Sequence, residues 1–304
     1  MSNALVNRYD FVYLFDVKDA NPNGDPDQGN LPRVDPEDQR GIVTDVCLKR
    51  KVRDYVLLSK LKDGKPEHGF NIFIQRRDAV LNDLIEDAAE KKGKGKDKLK
   101  DRKKYLCEEY FDIRTFGAVM STGDENSNAG TVRGPVQFSF GRSKDRIFQA
   151  EHSITRCTVA TTDEANRQKD REYPSTMGRK FTVPYALYSM QGYVSTIDAQ
   201  KTEFSEEDLD VLFEALKNAF EHDASAARGP GSMVARTLIV FKHDNHLGRA
   251  RSADLFELVS VRKKLGIDIP RSFDDYVVAI SKSSLPNGIA LDDRSFYDKR
   301  IQIL

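Results

Sequence analysis

Tyr9-Asp-Phe-Val-Tyr-Leu-Phe-Asp-Val17 is dense in aromatic and β-branched residues and reads as a buried strand. The segment after it, Asn21-Pro-Asn-Gly-Asp-Pro-Asp27, forces an abrupt turn, because proline fixes φ and glycine tolerates positive φ. From Asp45 a helix is predicted: Leu48, Val52, Tyr55 and Val56 recur on one face while Lys49, Arg53 and Lys60 line an adjacent one. This helix is expected to grip the core and turn three cations outward. Val136, Phe138 and Phe140 alternate with Gln137 and Ser139 as a strand, the core resumes at Val183, and another strand is expected near 193–197. Ser205 starts a second helix. Asp208 completes a capping box, Phe204 with Leu209 can form a hydrophobic staple, and Leu209, Leu212, Phe213, Leu216 and Phe220 recur at helical spacing. Residues 234–241 (VARTLIVF) and 276–280 (YVVAI) read as strands.

Two stretches interrupt this series, residues 60–131 and 142–182. The tip of the first is the charged tract Lys91-Lys-Gly-Lys-Gly-Lys-Asp-Lys98, which by itself lacks the apolar surface to order. With both set aside, the order is strand, helix, strand, strand, helix, strand. That is an α+β fold of the ferredoxin-like split βαβ type, also the skeleton of RNA-recognition domains. The chain, 1–304, is read as one elaborated domain.

Lys plus Arg and Asp plus Glu each number 48, so no global field draws in polyanions and any nucleic-acid surface must arise from local segregation of charge. Residues 203–223 hold eight acids against Lys217 alone, and these are expected to face solvent; residues 89–104 hold nine bases against Glu90, Asp97 and Asp101. Cys47, Cys107 and Cys157 are odd in number and widely spaced, which argues against a disulfide framework and against a cysteine zinc site and points to a reducing cytoplasm. No apolar run is long enough for a membrane span, and no signal-peptide core is expected at the N-terminus.

Catalytic signatures are weak. Asp19-x-Asn21-x-Asn23-Gly24 copies half of a calcium loop, but its twelfth position is Asn30 and Pro22 interrupts it. His243-Asp-Asn-His246 lacks a third ligand of recognisable spacing and is read as surface or strand-end histidines. There is no G-x-S-x-G elbow and no phosphate-binding GxxxxGK[ST] loop. No catalytic residue, metal or cofactor is therefore assigned.

Basic and polar motifs carry more. Arg133-Gly-Pro135, Arg142-Ser-Lys144, Arg156 and Gly178-Arg-Lys180 set cations beside flexible backbone, where side chain and exposed N–H can share a phosphate. With Lys49, Arg50 and Arg53 they suggest a surface for a nucleic-acid backbone. Asn126, Ser127, Asn128 and Gly130 form a polar bend suited to sugar 2′-hydroxyls. Met120 is read as a core filler, whereas Met177 could be core or an apolar contact between bases.

Together, Asn21-Pro-Asn-Gly-Asp-Pro-Asp27, Thr44-Asp-Val46 with Lys49-Arg-Lys-Val-Arg-Asp-Tyr55, Asp112-Ile-Arg-Thr-Phe-Gly117 and Val132-Arg-Gly-Pro-Val-Gln-Phe-Ser-Phe140 resemble the Cas7 backbone family of CRISPR effector complexes, nearest the type I-C (Csd2) branch. Met177-Gly-Arg-Lys180, Phe220-Glu-His-Asp223 and Val240-Phe-Lys-His243 continue the resemblance over about 9–280. It implies a modified RNA-recognition fold with 60–131 as a finger-type insertion and 142–182 as a thumb. It further implies a non-catalytic subunit of a prokaryotic, cytoplasmic surveillance complex (Cascade), with copies adding head to tail along a CRISPR RNA. That complex would bind target double-stranded DNA by base pairing. Implied partners are Cas5-family and Cas8-family subunits, a small Cas11-type subunit and a recruited Cas3. Candidate guide contacts are Asn21, Asn23, Lys49, Arg50, Arg53, Asn126, Asn128, Arg133, Arg156, Met177, Arg179 and Lys180; weaker DNA candidates are Lys91, Lys92, Lys94, Lys96 and Lys98. Two alternatives remain: a catalytic relative cutting target RNA through an acidic loop (Asp19, Asp25 or Asp27), and an interaction module that binds no nucleic acid.

Overall fold

The computed structural model describes residues 4–75, 80–121, 126–168 and 176–304. Strand β1 (Tyr9–Ala20) lies at its centre, with residues 9–17 all buried. Alternation explains why the run is continuous. Tyr9, Phe11, Tyr13, Phe15 and Val17 enter one core, whereas Val12 and Leu14 enter a second on the opposite face. A strand covered on both sides has no polar face to alternate with.

The proline- and glycine-bearing turn folds as a short hairpin, β2 (Gly24–Asp25) with β3 (Leu31–Pro32), and leads into β4 (Arg40–Val43). Thr44 caps helix α1 (Asp45–Ser59), and Asn23 Oδ1 accepts from both the Thr44 amide and its hydroxyl at 3.0 Å. A tight hairpin follows, β5 (Leu61–Lys62) with β6 (Lys65–Pro66). Helices α2 (Leu81–Lys92), α3 (Leu99–Glu109) and α4 (Phe111–Phe116) come next, then the hairpin β7 (Gly117–Met120) with β8 (Gly130–Arg133). These elements enclose a satellite core of Phe73, Ile85, Ala88, Leu106, Ile113 and Met120.

Strands β9 (Val136–Phe138) and β10 (Gly141–Arg146) return to the main sheet. Strand β11 (Ala150–Arg156), a short helix α5 (Thr162–Arg167) and the 19-residue β12 (Thr176–Val194) follow. Helices α6 (Thr196–Thr202) and α7 (Glu206–Lys217) lead to β13 (Met233–His243). Helix α8 (Ser252–Glu257), β14 (Val259–Lys263), β15 (Tyr276–Ile280), β16 (Ile289–Leu291), β17 (Phe296–Tyr297) and β18 (Gln302–Ile303) complete the order.

Strand β1 sits between β13 and β12, antiparallel to both; β9 and β10 pair with the far edge of β12, and β4 lies outside β10. Helices α1 and α7 cover one face through Leu48, Val52, Val56, Leu209, Leu212 and Phe213. The C-terminal unit covers the other: Phe273, Val278 and Ile280 pack with Leu255 against Val12, Leu14, Tyr185, Leu187, Ile239 and Phe241. This cover stops at Leu187. The later part of β12 lies outside it on that face, and β10 meets its edge at Asp145, which accepts from the Tyr276 hydroxyl at 2.6 Å and pairs with Lys263 at 3.1 Å.

Several expectations change. The strand expected near 193–197 ends at Val194, and Thr196 begins α6, because Ser195 accepts the Asp198 amide as an N-cap. The tract 91–98 is ordered. It closes the α2–α3 hairpin, where the Arg102 guanidinium donates to the carbonyls of Gly93, Gly95 and Asn128, and the apolar spacing of Ile85, Ala88 and Leu106 buries the two helices. Residues 141–146 belong to the sheet, so the second excursion starts beyond them. Parts of both stretches, 76–79, 122–125 and 169–175, lie outside the described residues. His243 is the strand-end histidine, closing β13, but it is not at the surface: it is fully buried, with Nε2 2.8 Å from Asp10 and Nδ1 accepting from the Arg249 amide.

Gly192 is fixed by packing. A Cβ there would overlap the ring of Phe11, which stacks edge-on against Phe138 and Phe213. Gly192→Ala is expected to destabilise the fold by about 1–3 kcal/mol through overpacking. Urea unfolding should show a lower midpoint at unchanged slope; an unchanged midpoint would contradict the packing described.

Candidate nucleic-acid interface

The uncovered half of the sheet carries a distinctive set of side chains. Arg142 pairs in register with Ser189, and Arg146 with Arg40. Residues on this side of β4 and β12 point away from α1, because their neighbours Val43 and Tyr188 point into the core that α1 covers. Ser139, Phe140, Arg142, Lys144, Ser189, Gln191 and Arg40 line a groove of about 430 Å³. It shares Arg40 and Lys144 with an adjoining hollow of about 520 Å³ that adds Arg146 and Lys263 together with the acids Asp38, Asp145 and Asp268. Arg142 is held by Asp35 at 2.9 Å and Lys263 by Asp145 at 3.1 Å. Lys144 and Arg146 have no ion-pair partner among the described residues. Burial first and the Arg40 charge second hold the half-buried Lys144 ammonium below the usual lysine range. A partly desolvated cation beside a like charge is stabilised by an incoming anion. Phe140, 49% exposed, lines the groove, and Phe148, 72% exposed, lies in a neighbouring hollow with Tyr185 and Tyr276; both are apolar plates of the kind on which bases stack.

Beyond the sheet, the first seven residues of β12 pair with β11 as an exposed hairpin, from Ala150↔Thr182 to Arg156↔Thr176. Strand alternation sorts its candidates. His152, Ile154, Arg156 and Lys180 share one face, whereas Glu151, Met177 and Arg179 share the other. Arg179 is neutralised by Glu151 at 3.3 Å, and Arg156 donates to the Thr158 carbonyl and the Thr176 hydroxyl. Met177 is 72% exposed, while Met120 is fully buried.

The family model for the CRISPR-associated protein Cas7 matches residues 7–281, nearly the whole of this architecture. The chain belongs to the Cas7 family. A CRISPR-associated protein Cas7 from Haloferax volcanii is 29% identical over 240 residues, which are 70% of this chain and 65% of that protein, so the match spans just under two thirds of the relative. A solved structure described as a CRISPR RNA-guided surveillance complex, pre-nicking, superposes with TM-score 0.50 at 12% identity, covering 98% of this chain and 96% of that one. That likeness is one of fold.

In this Cas7 chain the α1 cations do not point outward as expected. Arg53 is buried against Asp112 at 2.8 Å, and Lys49 is held by Asp45 at 2.9 Å under the rings of Phe116 and Phe138. Lys60 lies over the Phe70 ring with Glu207 4.0 Å away. Arg50 reaches Asp54 and Asp223; Lys51, fully buried, also pairs with Asp223. Burial alone would raise the Asp223 carboxyl, but Lys51, Arg228 and Arg50 together bring it below the usual range. Two acids expected at the surface, Asp208 and Asp223, are thus turned inward, Asp208 onto Arg114 at 2.7 Å.

Asn21 is buried and donates to the Asn30 carbonyl, and Asn23 is spent on the α1 cap. The carbonyls of Asn126 and Asn128 accept from Gly95 and Arg102, which ties the polar bend to the α2–α3 turn. Lys91 pairs with Asp87 and Tyr105, Lys92 lies over the Tyr105 ring, and Lys98 pairs with Asp101; Lys94 and Lys96 are exposed on the same turn. Arg133 stands apart from the open half-face, 3.4 Å from Asp198 of α6. The candidates therefore occupy α1, β8 and the exposed hairpin and do not form one continuous surface. Sequence reasoning set Arg142 and Lys144 among the basic motifs of a nucleic-acid surface without naming them as guide contacts, and it passed over Arg40 and Arg146. The signal was partial: Arg142, Lys144 and Arg146 recur at period two, but a register shift between Arg142 and Arg146 interrupts the alternation of β10 against β4. No group of three or more His, Cys, Asp or Glu is placed to hold a metal ion among the described residues, and no helix there is long and apolar enough to cross a membrane.

Proposed function

We propose that this Cas7 chain is a non-catalytic backbone subunit of a type I-C CRISPR surveillance complex, binding guide RNA across the open half-face and the exposed hairpin. The observation that carries this is Lys144, a half-buried cation without an ion-pair partner among the described residues, set between Arg40 and Arg146 on a polar strand surface flanked by exposed phenylalanines. The strand order β13–β1–β12–β9/β10, with α1 and α7 on one face, supports the modified RNA-recognition, split βαβ reading of the core. The covered part of the second face differs from an ordinary RNA-recognition sheet and confines RNA to the β12–β10–β4 edge. On this reading the hairpin of β11 and β12 is the thumb, and the α2–β8 region is the finger-type insertion.

Copies added head to tail make a non-closing, heterologous series, so a neutral subunit can bind a polyanion while opposed charged faces meet its neighbours. Base pairing by the guide then selects the double-stranded DNA target. The Cas5-, Cas8- and Cas11-type partners and recruited Cas3 belong to the same proposal. Nuclease footprinting of an unstructured guide at rising protein ratios is expected to give protected lengths that grow in regular steps. A protein that remains monomeric with guide in excess and leaves it fully digestible would contradict the reading.

A catalytic role predicts something different. Asp25 is engaged by Arg33 at 3.3 Å and by the Asp27 amide, while Asp19 adopts φ 51° near the end of β1. Incubating the assembled complex with labelled target RNA and magnesium is expected to leave the RNA intact. Periodic cleavage that disappears on Asp19→Ala or Asp27→Ala would replace the scaffold role with a cutting one.

A further inference from the structure

On the side of the molecule away from the open half-face, α3, β8 and α6 enclose a cleft of about 420 Å³. Helix α6 contributes Ala199 to the same core that α1 and α7 build, which fixes the cleft on the helix-covered side of the sheet. Lys100, Lys103 and Lys104 come from α3, at the i, i+3, i+4 spacing that shares one helix face, and Arg133 and Lys201 stand on the facing walls. Its acids are Asp198 and Glu203, leaving a surplus of three positive charges.

The acids are already committed. Asp198 takes Lys201 at 3.0 Å and Arg133 at 3.4 Å, and Glu203 takes Lys104 at 3.5 Å. Lys100 and Lys103 have no ion-pair partner among the described residues. Lys103 is moreover half-buried, and its seat depends on a missing side chain: a Cβ on Gly130, which holds φ 67°, would lie 3.0 Å from Lys103 Cε and 3.2 Å from Nζ. A fold that places a half-buried ammonium without a carboxylate leaves it needing an anion from outside.

We propose that this cleft is a second phosphodiester-backbone site, separate from the guide surface and reading no sequence. Two walls of cations accept the negative charges of one sugar–phosphate strand, with Lys100 and Lys103 making the contacts that no internal carboxylate satisfies. Phosphate contacts of this type position a strand without specifying bases.

The test uses the full chain and fluorescein-labelled dT and U homopolymers of about 20 nucleotides, titrated by anisotropy across a salt series. Four proteins are compared: the wild type, Lys100→Gln/Lys103→Gln, Arg40→Gln/Lys144→Gln/Arg146→Gln, and the combination. The cleft pair is expected to weaken both homopolymers several-fold and to lower the slope of log K against log salt by about 1.4, at about 0.7 per neutralised single-strand phosphate. The same loss should recur in the open-face background, because distant sites add. Unchanged affinity in the cleft variant would overturn the proposal, and so would a loss confined to U or one absent from the open-face background, either of which would make the cleft part of the guide path. Because the expected losses are read separately for the two surfaces, failure of the guide assignment leaves the cleft result interpretable. Reduced self-association with unchanged homopolymer affinity would assign the cleft to a protein neighbour and also overturn it.

Discussion

Arg40→Gln, Lys144→Gln and Arg146→Gln together are expected to weaken single-stranded guide binding by about 10–100-fold at moderate salt and to lower the salt slope by about 2, at about 0.7 for each phosphate no longer neutralised. The reason is electrostatic. These three side chains line the groove and adjoining hollow on the uncovered half of the sheet, and two of them have no ion-pair partner among the described residues. They contribute little to the apolar core, so the melting temperature should change little. Arg142→Gln should do less, because Asp35 already neutralises it at 2.9 Å. Filter binding or anisotropy over a salt series reads both effects. An affinity and slope equal to those of the wild type would remove the open half-face from guide binding.

The largest effect on stability is expected at Asp112. Its Oδ1 accepts from the Phe73 amide at 2.7 Å, and its Oδ2 accepts from the Ile74 amide at 3.1 Å and from Arg53 Nε at 2.8 Å. Asp112 is 1% exposed and Arg53 7% exposed, so water cannot stand in for the missing carboxylate. Asp112→Ala strands a buried guanidinium and two backbone donors, at an expected cost of about 3–5 kcal/mol. Replacing both partners, Arg53→Met with Asp112→Leu, should recover only part of this. The charge is gone, but each unpaired buried amide still costs about 1–3 kcal/mol. Urea unfolding of the two variants measures the difference. Equal stability of Asp112→Ala and the wild type would show that this carboxylate does not join α1 to the satellite core.

Much of the fold was legible because local pattern and tertiary role agree. Nine apolar-dominated residues of β1, the Ser205–Asp208 capping box, the Phe204–Leu209 staple and the 3.6-residue spacing of α7 are each local signals. The resemblance also named the Cas7 family, which the family model over residues 7–281 shows. The fate of charge was not legible. Arg53 meets Asp112 across 59 residues and Lys51 meets Asp223 across 172, and nothing in a helix's own periodicity reveals a distant carboxylate. Lysine density likewise hid the α2–α3 hairpin, whose apolar positions are few but correctly spaced. The C-terminal cover of the second sheet face was missed as well. Only β15 announced itself, since β14 and α8 carry short, mixed patterns. That cover shapes the proposed RNA path, because it leaves the β12–β10–β4 edge as the open part of the face.

Balanced composition is compatible with the proposed RNA binding because of where the acids are used. Asp112, Asp208 and Asp223 are spent on buried cations, so charges that cancel in the total do not cancel on the surface. Lys144, Arg146, Lys100 and Lys103 stay unmatched among the described residues, on two separate surfaces.

Photocrosslinking of the chain to a guide carrying 4-thiouridine at every position, read by peptide mass spectrometry, bears most directly on where the RNA runs. Crosslinks are expected in peptides covering residues 40–43, 139–149, 176–182 and 189–193. Crosslinks confined to α1, α7 or the cleft beside α3, with none on the open half-face, would contradict the proposed guide path.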